Sequence, residues 1–232
     1  MKELISSGLE TLGLTGSVPP DAAEKLAEYG RLLLEKNQVM NLTAIRDEAG
    51  VARLHMLDCA DLTGARTLLD VGTGAGFPGL PLKILLPQLD VTLLDSLNKR
   101  VDWLNEVSAQ LGLTGVRAIQ GRAEEKALEK SMRDSFDLVT ARAVADLRLL
   151  SELCLPFVKV GGRFLSMKSV DSDQELDQAA HAIKLLGGRV RDVKDYAIPG
   201  ADVTHRLVIV EKVAPTLKGY PRRWAKIQKA PL

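Results

Sequence analysis

Four glycines and two carboxylates carry the strongest chemical signal in this sequence. The run Leu69-Asp70-Val71-Gly72-Thr73-Gly74-Ala75-Gly76-Phe77-Pro78-Gly79 follows an apolar stretch with strand character and precedes one with helical spacing. Glycines at such a junction let the backbone turn tightly and approach a ligand with no Cβ between them. The helix beyond the loop offers N–H groups without partners, and Pro78 suits a first helical position. Two ligand classes use such loops. Gly74-Ala75-Gly76-Phe77-Pro78-Gly79 satisfies the G-x-G-x-x-G of a dinucleotide site, where pyrophosphate rests on the helix start. Asp70, Gly72, Gly74 and Gly76 satisfy an acid-x-G-x-G-x-G pattern suited to S-adenosylmethionine, which has no pyrophosphate but carries an ammonium and a sulfonium. A carboxylate at Asp70 is electrostatically suited to that cationic end. The remaining reading is a tight turn with no ligand, and four glycines within eight residues argue against it.

The second carboxylate, Asp95, lies in Leu93-Leu94-Asp95-Ser96, 25 positions after Asp70. There it can accept both hydroxyls of an adenosine ribose, a feature common to both ligand classes. Asp95 or Ser96 can also cap the helix expected from Lys99, and the two roles are compatible. Farther on, Gln120-Gly121-Arg122-Ala123-Glu124-Glu125 follows a third apolar run. An adenine ring would reach this loop, with N–H groups of Ala123 and Glu124 against its edge. A solvated loop entering a charged helix is the alternative.

A fourth run, Phe136-Asp137-Leu138-Val139-Thr140-Ala141-Arg142-Ala143, ends where substrate groups would be presented if the chain has the methyltransferase variant of the doubly wound sheet, and the following expectations rest on that fold. It lacks the polar-Pro-Pro-aromatic motif used on exocyclic amines. Neither cysteine, Cys59 or Cys154, is placed as the nucleophile that carbon-5 chemistry on pyrimidines requires. The target atom should therefore already be a nucleophile. Guanine N7 fits: its lone pair is exposed and no proton leaves, so orientation and proximity suffice without a general base. Arg142 is the candidate catalytic residue, positioning the base or the cofactor carboxylate. Its alternative role is an ion pair with Asp146.

These groups need a scaffold that brings four strand ends together. Apolar runs predict strands at Thr67–Val71, Val91–Leu94, Val116–Gln120, Phe136–Ala141, Arg163–Lys168, Val190–Ala197 and His205–Glu211. Helices are expected at Pro78–Leu86, Lys99–Leu111, Asp146–Phe157 and Asp173–Leu186, and upstream at Asp21–Lys36 and Asp47–Leu62. Alternation of strand and helix implies a mostly parallel sheet with helices on both faces. The short loop around Pro199-Gly200 leaves no room for a crossover, so the last two strands should be antiparallel. The fold class is α/β: a Rossmann-like, seven-stranded class I methyltransferase sheet, mostly parallel with an antiparallel last strand. The expected division is a helical N-terminal cap over 1–64, the Rossmann-like domain over 65–213 and a basic tail over 214–232.

Composition narrows the function classes. The 232 residues are 46% hydrophobic and 26% charged with net charge +1, ordinary for a globular chain. Two cysteines and three scattered histidines offer no metal-ligand spacing. No stretch is apolar enough to cross a bilayer, and the N-terminal region lacks the pattern of a signal peptide. A cytoplasmic monomer without membrane contact is expected. The charge is nevertheless uneven. Lys212, Lys218, Arg222, Arg223, Lys226 and Lys229 stand in the last segment with no acidic residue, interleaved with Tyr220 and Trp224. That pattern suits phosphate contact and base stacking, or else a solvated end.

The blocks already quoted, extended through Leu80-Pro81-Leu82, Leu97, Lys99-Arg100-Val101 and Arg142-Ala143, resemble the signature of the ribosomal RNA small subunit methyltransferase G family, also called glucose-inhibited division protein B. So do Asn41-Leu42-Thr43, His55-Met56-Leu57-Asp58-Cys59, His205-Arg206-Leu207-Val208-Ile209 and Tyr220-Pro221-Arg222-Arg223. Nearly the whole chain is covered. The resemblance implies methyl transfer from S-adenosylmethionine to N7 of a guanine in 16S ribosomal RNA. It also implies cofactor contacts at Gly72, Phe77, Ala123, Glu124 and Arg142, with Asp95 on the ribose. Fold geometry adds an RNA-facing rim of Lys99, Arg100, Arg163, Lys168 and Arg206, with Arg222 and Arg223 from the tail. Two departures stand out: Cys59 replaces the family's usual serine, and Trp224 to Leu232 follows its basic ending only loosely.

Overall fold

The computed structural model describes residues 1–56, 65–142 and 145–232. Its sheet contains β1 (Thr67–Val71), β2 (Asp90–Asp95), β3 (Val116–Gln120), β4 (Phe136–Arg142), β5 (Val158–Ser169), β6 (Gly188–Ala197) and β7 (Thr204–Lys212). Their order is β3-β2-β1-β4-β5-β7-β6. The pairs β1/β2, β1/β4, β2/β3 and β4/β5 are parallel, whereas β7 is antiparallel to both β5 and β6. The reversed element is thus β7 alone. The β6–β7 hairpin folds it back into the gap between β5 and β6.

Alternation along the strands explains the two-layered core. Leu68, Leu93, Leu138, Leu165 and Leu207 face one side, and Leu69, Leu94, Val139, Phe164 and Val208 the other. A side-chain period of two makes consecutive apolar residues serve opposite faces, so a strand buried on both sides reads as a continuous apolar run. The first face is covered by α1 (Lys2–Thr11), α2 (Ala22–Met40), α4 (Gly79–Leu85) and α5 (Asn98–Gln110). The second is covered by α7 (Leu147–Cys154), which runs into a 3₁₀ turn at Leu155–Phe157, and α8 (Asp173–Leu185).

The departures from expectation have local causes. Helix α1 carries only Ile5 and Leu9 as large buried apolar residues, too few to show a periodic stripe. The segment expected as one helix over Asp47–Leu62 begins as α3 (Glu48–Val51), capped by Asp47 accepting from the Gly50 N–H at 2.8 Å. It continues as a π-helical turn, Ala52–Met56; its remainder lies outside the described residues. Strand β5 starts five residues earlier than expected. Gly161 and Gly162 interrupt its side-chain pattern: Gly161 has φ of 85°, and a Cβ on Gly162 would stand 2.7 Å from the Asp137 carbonyl oxygen. Gly162 thus serves close strand packing beside a register shift between Phe136 and Leu138.

Candidate active site

A cavity of about 380 Å³ opens at the carboxyl ends of β1, β2, β3 and β4. This is where a doubly wound sheet places its ligands. A larger cleft of about 520 Å³, lined by Lys2, Glu24, Lys25 and Arg31, adjoins α1 and α2 and touches no strand end.

The glycine loop forms the cavity's first wall. Gly72 lines it with φ of 66°. Gly76 has φ of 102°, and a Cβ there would stand 2.6 Å from the Tyr29 hydroxyl. That hydroxyl donates to the Ala75 carbonyl, tying α2 to the loop. Asp70 does not reach the cavity as the pattern suggested. It is fully buried, accepting from Thr73 Oγ1 at 2.6 Å, the Gly79 N–H at 3.1 Å and Thr140 Oγ1 at 3.0 Å. It therefore staples the loop to α4 and β4. Burial pushes its carboxyl up to about 6, against the pull of these three donors. Gly74 shapes the loop and donates its N–H to Asp95 Oδ2 at 3.0 Å.

Asp95 lines the cavity and is 3% exposed. Besides Gly74, it accepts from the Leu97 N–H at 2.9 Å and from Arg100 Nη1 at 3.3 Å. A carboxylate offers about four acceptor positions, so about one remains beyond these three donors. Arg100, expected on an RNA-facing rim, instead lines the cavity beside Asp95. Ser96, Ala123 and Glu124 also border it. The last two open a short helix, α6 (Ala123–Lys126), and Arg122 Nε donates to Glu124 Oε1 at 2.7 Å.

The exit of β4 holds a constellation that sequence reasoning missed. Arg142 lines the cavity, but its partner is not Asp146, which instead caps α7 and pairs with Arg148. Arg142 Nη1 donates to the Leu54 carbonyl at 2.9 Å and Nη2 lies 2.8 Å from His55 Nδ1. A guanidinium only donates, so Nδ1 accepts and Nε2 carries the proton toward Thr43 Oγ1, 2.9 Å away. Burial and the adjacent Arg142 charge hold the imidazole down to about 3, hence neutral at physiological pH. Phe77 lies beneath this pair, stacked on His55 at 4.3 Å with the Arg142 guanidinium 5.1 Å from its ring centre. Its ring supports the site rather than lining the cavity. The Asn-Leu-Thr and His blocks in the sequence were the available signal, but nothing in their spacing brings them to Arg142.

The expected basic rim is largely neutralised. Lys168 Nζ reaches the Ala145 carbonyl and Glu175 Oε1, each at 2.5 Å. Arg206 pairs with Asp195 at 2.7 Å and Asp173 at 2.5 Å. Arg163 pairs in register with Leu138, near the start of β4 and away from the strand ends that bear the cavity. Arg222 Nη2 binds Glu152 Oε2 at 2.6 Å, and Glu152 is fully buried. Lys212 is also fully buried, donating to the Leu155 carbonyl and to Thr216 Oγ1. Of the expected RNA-facing residues, Lys99 and Arg223 remain exposed. The tail does not dangle: it ends in α9 (Trp224–Lys229), and Trp224 lines the cavity.

Among the described residues no helix is long and apolar enough to cross a membrane, and no cluster could hold a metal ion. The walls suit a ligand with hydroxyls to donate to Asp95, a planar ring for the α6 side and a backbone-hugging segment at Gly72. Residues 22–203 match the family described as rRNA small subunit methyltransferase G. Relatives named ribosomal RNA small subunit methyltransferase G include one from Clostridium beijerinckii, 44% identical over 99% of this chain and 98% of that one. Another, from Alkaliphilus metalliredigens, is 44% identical over 100% and 98%. A third, from Lachnoclostridium phytofermentans, is 45% identical over 97% and 95%. Among solved structures, the antibiotic-resistance methyltransferase Kmr aligns with TM-score 0.53 and 18% identity, over 65% of this chain and 88% of that one. TYW2 of M. jannaschii in complex with AdoMet aligns with TM-score 0.50 and 15% identity, over 63% and 58%. Both share the fold.

Proposed function

Because this chain belongs to the rRNA small subunit methyltransferase G family, we propose that it methylates N7 of a guanine in the 16S ribosomal RNA of the small subunit. It is an S-adenosylmethionine-dependent methyltransferase. One observation carries the reading: the glycine loop and Asp95 meet in a cavity at the carboxyl ends of β1 to β4. When bound, S-adenosylmethionine supplies the electrophilic methyl group. In this reading Asp95 and Ser96 hold its ribose, Ala123 and Glu124 the adenine edge, and Gly72 and Arg142 its amino-acid end. Gly74, Gly76, Phe77 and Asp70 keep that cradle in shape.

The β4 exit supports a target that needs no base. Both His55 nitrogens are committed and its ring is held neutral. Cys154 is fully buried, and burial pushes its thiol well above the ordinary value, so it is no nucleophile. Guanine N7 offers a lone pair, forms one bond and releases no proton. Arg142, held by His55 and Leu54, is suited to align the base, which is catalysis by orientation. Exposed Lys99 and Arg223 are suited to RNA phosphates. The proposed organisation is a monomer acting in the cytoplasm, with the segment 1–64 as a cap that braces Arg142.

The test is transfer of labelled methyl groups to unmodified small subunits and to free 16S RNA, followed by mass spectrometry of the nucleosides. Label in 7-methylguanosine alone is expected. Label on an exocyclic nitrogen or a pyrimidine carbon would overturn the assignment of target atom. RNA binding should also weaken steeply with salt as counterions are released; a flat dependence would favour a small-molecule substrate.

A further inference from the structure

We propose that Trp224 forms a wall of the adenine end of the cofactor site, so that the folded tail is part of the cofactor-binding machinery. The inference rests on the cofactor reading above and adds a residue that no glycine-loop or strand-end pattern contains.

Three observations carry it. Trp224 lines the same cavity as Asp95, Ala123 and Glu124, although 100 positions separate it from Glu124. Its ring lies under the Arg122 guanidinium, 5.4 Å from Cζ to the ring centre, and Arg122 is itself oriented by Glu124 at 2.7 Å. The indole is therefore held against the loop after β3, the side of the sheet opposite Arg142 relative to β1 and β2. Finally, the chain leading to Trp224 is fastened where it cannot drift. Arg133 Nη2 donates to the Thr216 carbonyl at 2.9 Å and Nη1 to the Tyr220 carbonyl at 2.8 Å. Arg222, the second residue before the indole, is locked to buried Glu152, and Ile227 one turn later is fully buried in the second-face core. An indole fastened on both sides, under a guanidinium and bordering the cavity, is a preformed stacking surface for a planar heteroaromatic ring. Base stacking on such rings is sequence-tolerant but strong.

The chemistry distinguishes adenine from the target guanine by place. The ribose carboxylate Asp95 ends β2 and the indole adjoins the end of β3, whereas the target enters beside Arg142 at the end of β4. A ring attached to the ribose at Asp95 extends toward the β3 loop, and so toward Trp224.

Fluorescence provides a direct readout because the protein has two tryptophans. Trp103 is 3% exposed in the first-face core, 6.3 Å from the Tyr29 ring, and Trp103→Phe leaves Trp224 as the single indole. Titration of Trp103→Phe with S-adenosylhomocysteine should shift or quench the Trp224 emission, saturating at the Kd found by calorimetry. Trp224→Ala should weaken binding by about 5- to 150-fold, the range for loss of one stacking partner. Trp224→Phe should retain most of the affinity, and adenosine should show the same ranking. Melting curves identify any variant that fails to fold, in which case Trp224→Phe and the fluorescence titration decide. If the wild type binds no S-adenosylhomocysteine, the cofactor reading itself fails. If it binds while Trp224 emission stays unchanged and Trp224→Ala binds equally well, the cofactor reading stands and the Trp224 assignment is overturned. Loss of RNA affinity alone in Trp224→Ala would likewise overturn it and move the indole to the RNA side.

Discussion

Asp70→Asn separates a carboxylate that binds ligand from one that builds the loop. The side chain is fully buried, and its carboxyl sits at about 6 instead of the ordinary 3.8. At 1.36 kcal/mol per pH unit, this difference corresponds to about 3 kcal/mol. A raised folded-state value means that the native protein binds more protons than the unfolded chain between pH 3.8 and about 6. Stability from this group is therefore present at low pH and lost as pH rises through that window. Asparagine retains the shape without the charge. Its carbonyl oxygen can accept from Thr73 and Gly79, and the Thr140 hydroxyl can rotate to accept from the amide. The stability difference between Asp70→Asn and wild type should thus be near zero at pH 4 and favour the variant by up to about 3 kcal/mol at pH 7. Urea midpoints at intervals between those values measure it, and other titrating groups cancel in the difference. S-adenosylhomocysteine affinity should be nearly unchanged. If Asp70 faced the ligand's ammonium, neutralising it would cost about 1.5–3 kcal/mol, the worth of a hydrogen bond to a charged group. A flat stability difference with a tenfold loss of affinity would refute the structural assignment of Asp70.

Asp95→Ala should weaken S-adenosylhomocysteine binding by roughly 1–3 kcal/mol, because ribose hydroxyls lose a charged acceptor; unchanged calorimetric affinity would remove Asp95 from the ribose. His55 is depressed from 6.5 to about 3 in the folded protein, so the unfolded chain binds its proton first. Its contribution is present above pH 6.5 and is lost on acidification toward pH 3, by as much as about 5 kcal/mol. His55→Gln, which can still accept from Arg142, should flatten this part of the pH–stability curve, and an unaltered curve would contradict the neutral buried imidazole. Arg222→Ala leaves Glu152 charged and buried without its partner, so it should cost about 3–5 kcal/mol in denaturant unfolding. A change below about 1 kcal/mol would mean that the pair behaves as an exposed surface ion pair.

Much of the scaffold was legible because it is written in local terms. Strands buried on both faces are apolar runs whatever surrounds them, and the boundaries of β1 were read correctly for that reason; β3, a half-exposed edge strand, also has the expected boundaries, without a run buried on both faces. The glycine loop was legible because left-handed backbone and close approach restrict residue type at single positions. Helix α9 and the early part of β5 were not, since one is six residues long and the other is interrupted by glycines.

By itself, the sequence determined the alternating α/β plan, the glycine loop, the carboxylate at the end of β2 and the family resemblance. Each depends on residue types at fixed short spacing. Only the tertiary structure decided which charges do chemistry. It enclosed Asp70, joined Arg142 to His55 across 87 positions, and bound Lys168, Arg206 and Arg222 into ion pairs. It also brought Trp224 from the tail to the cavity wall. A charged side chain reaches several ångströms from its backbone, and its role is set by the partner it finds there. Those partners come from strands and helices distant in the chain, so composition reports that a charge exists but not whether it is spent on an ion pair or presented to a ligand.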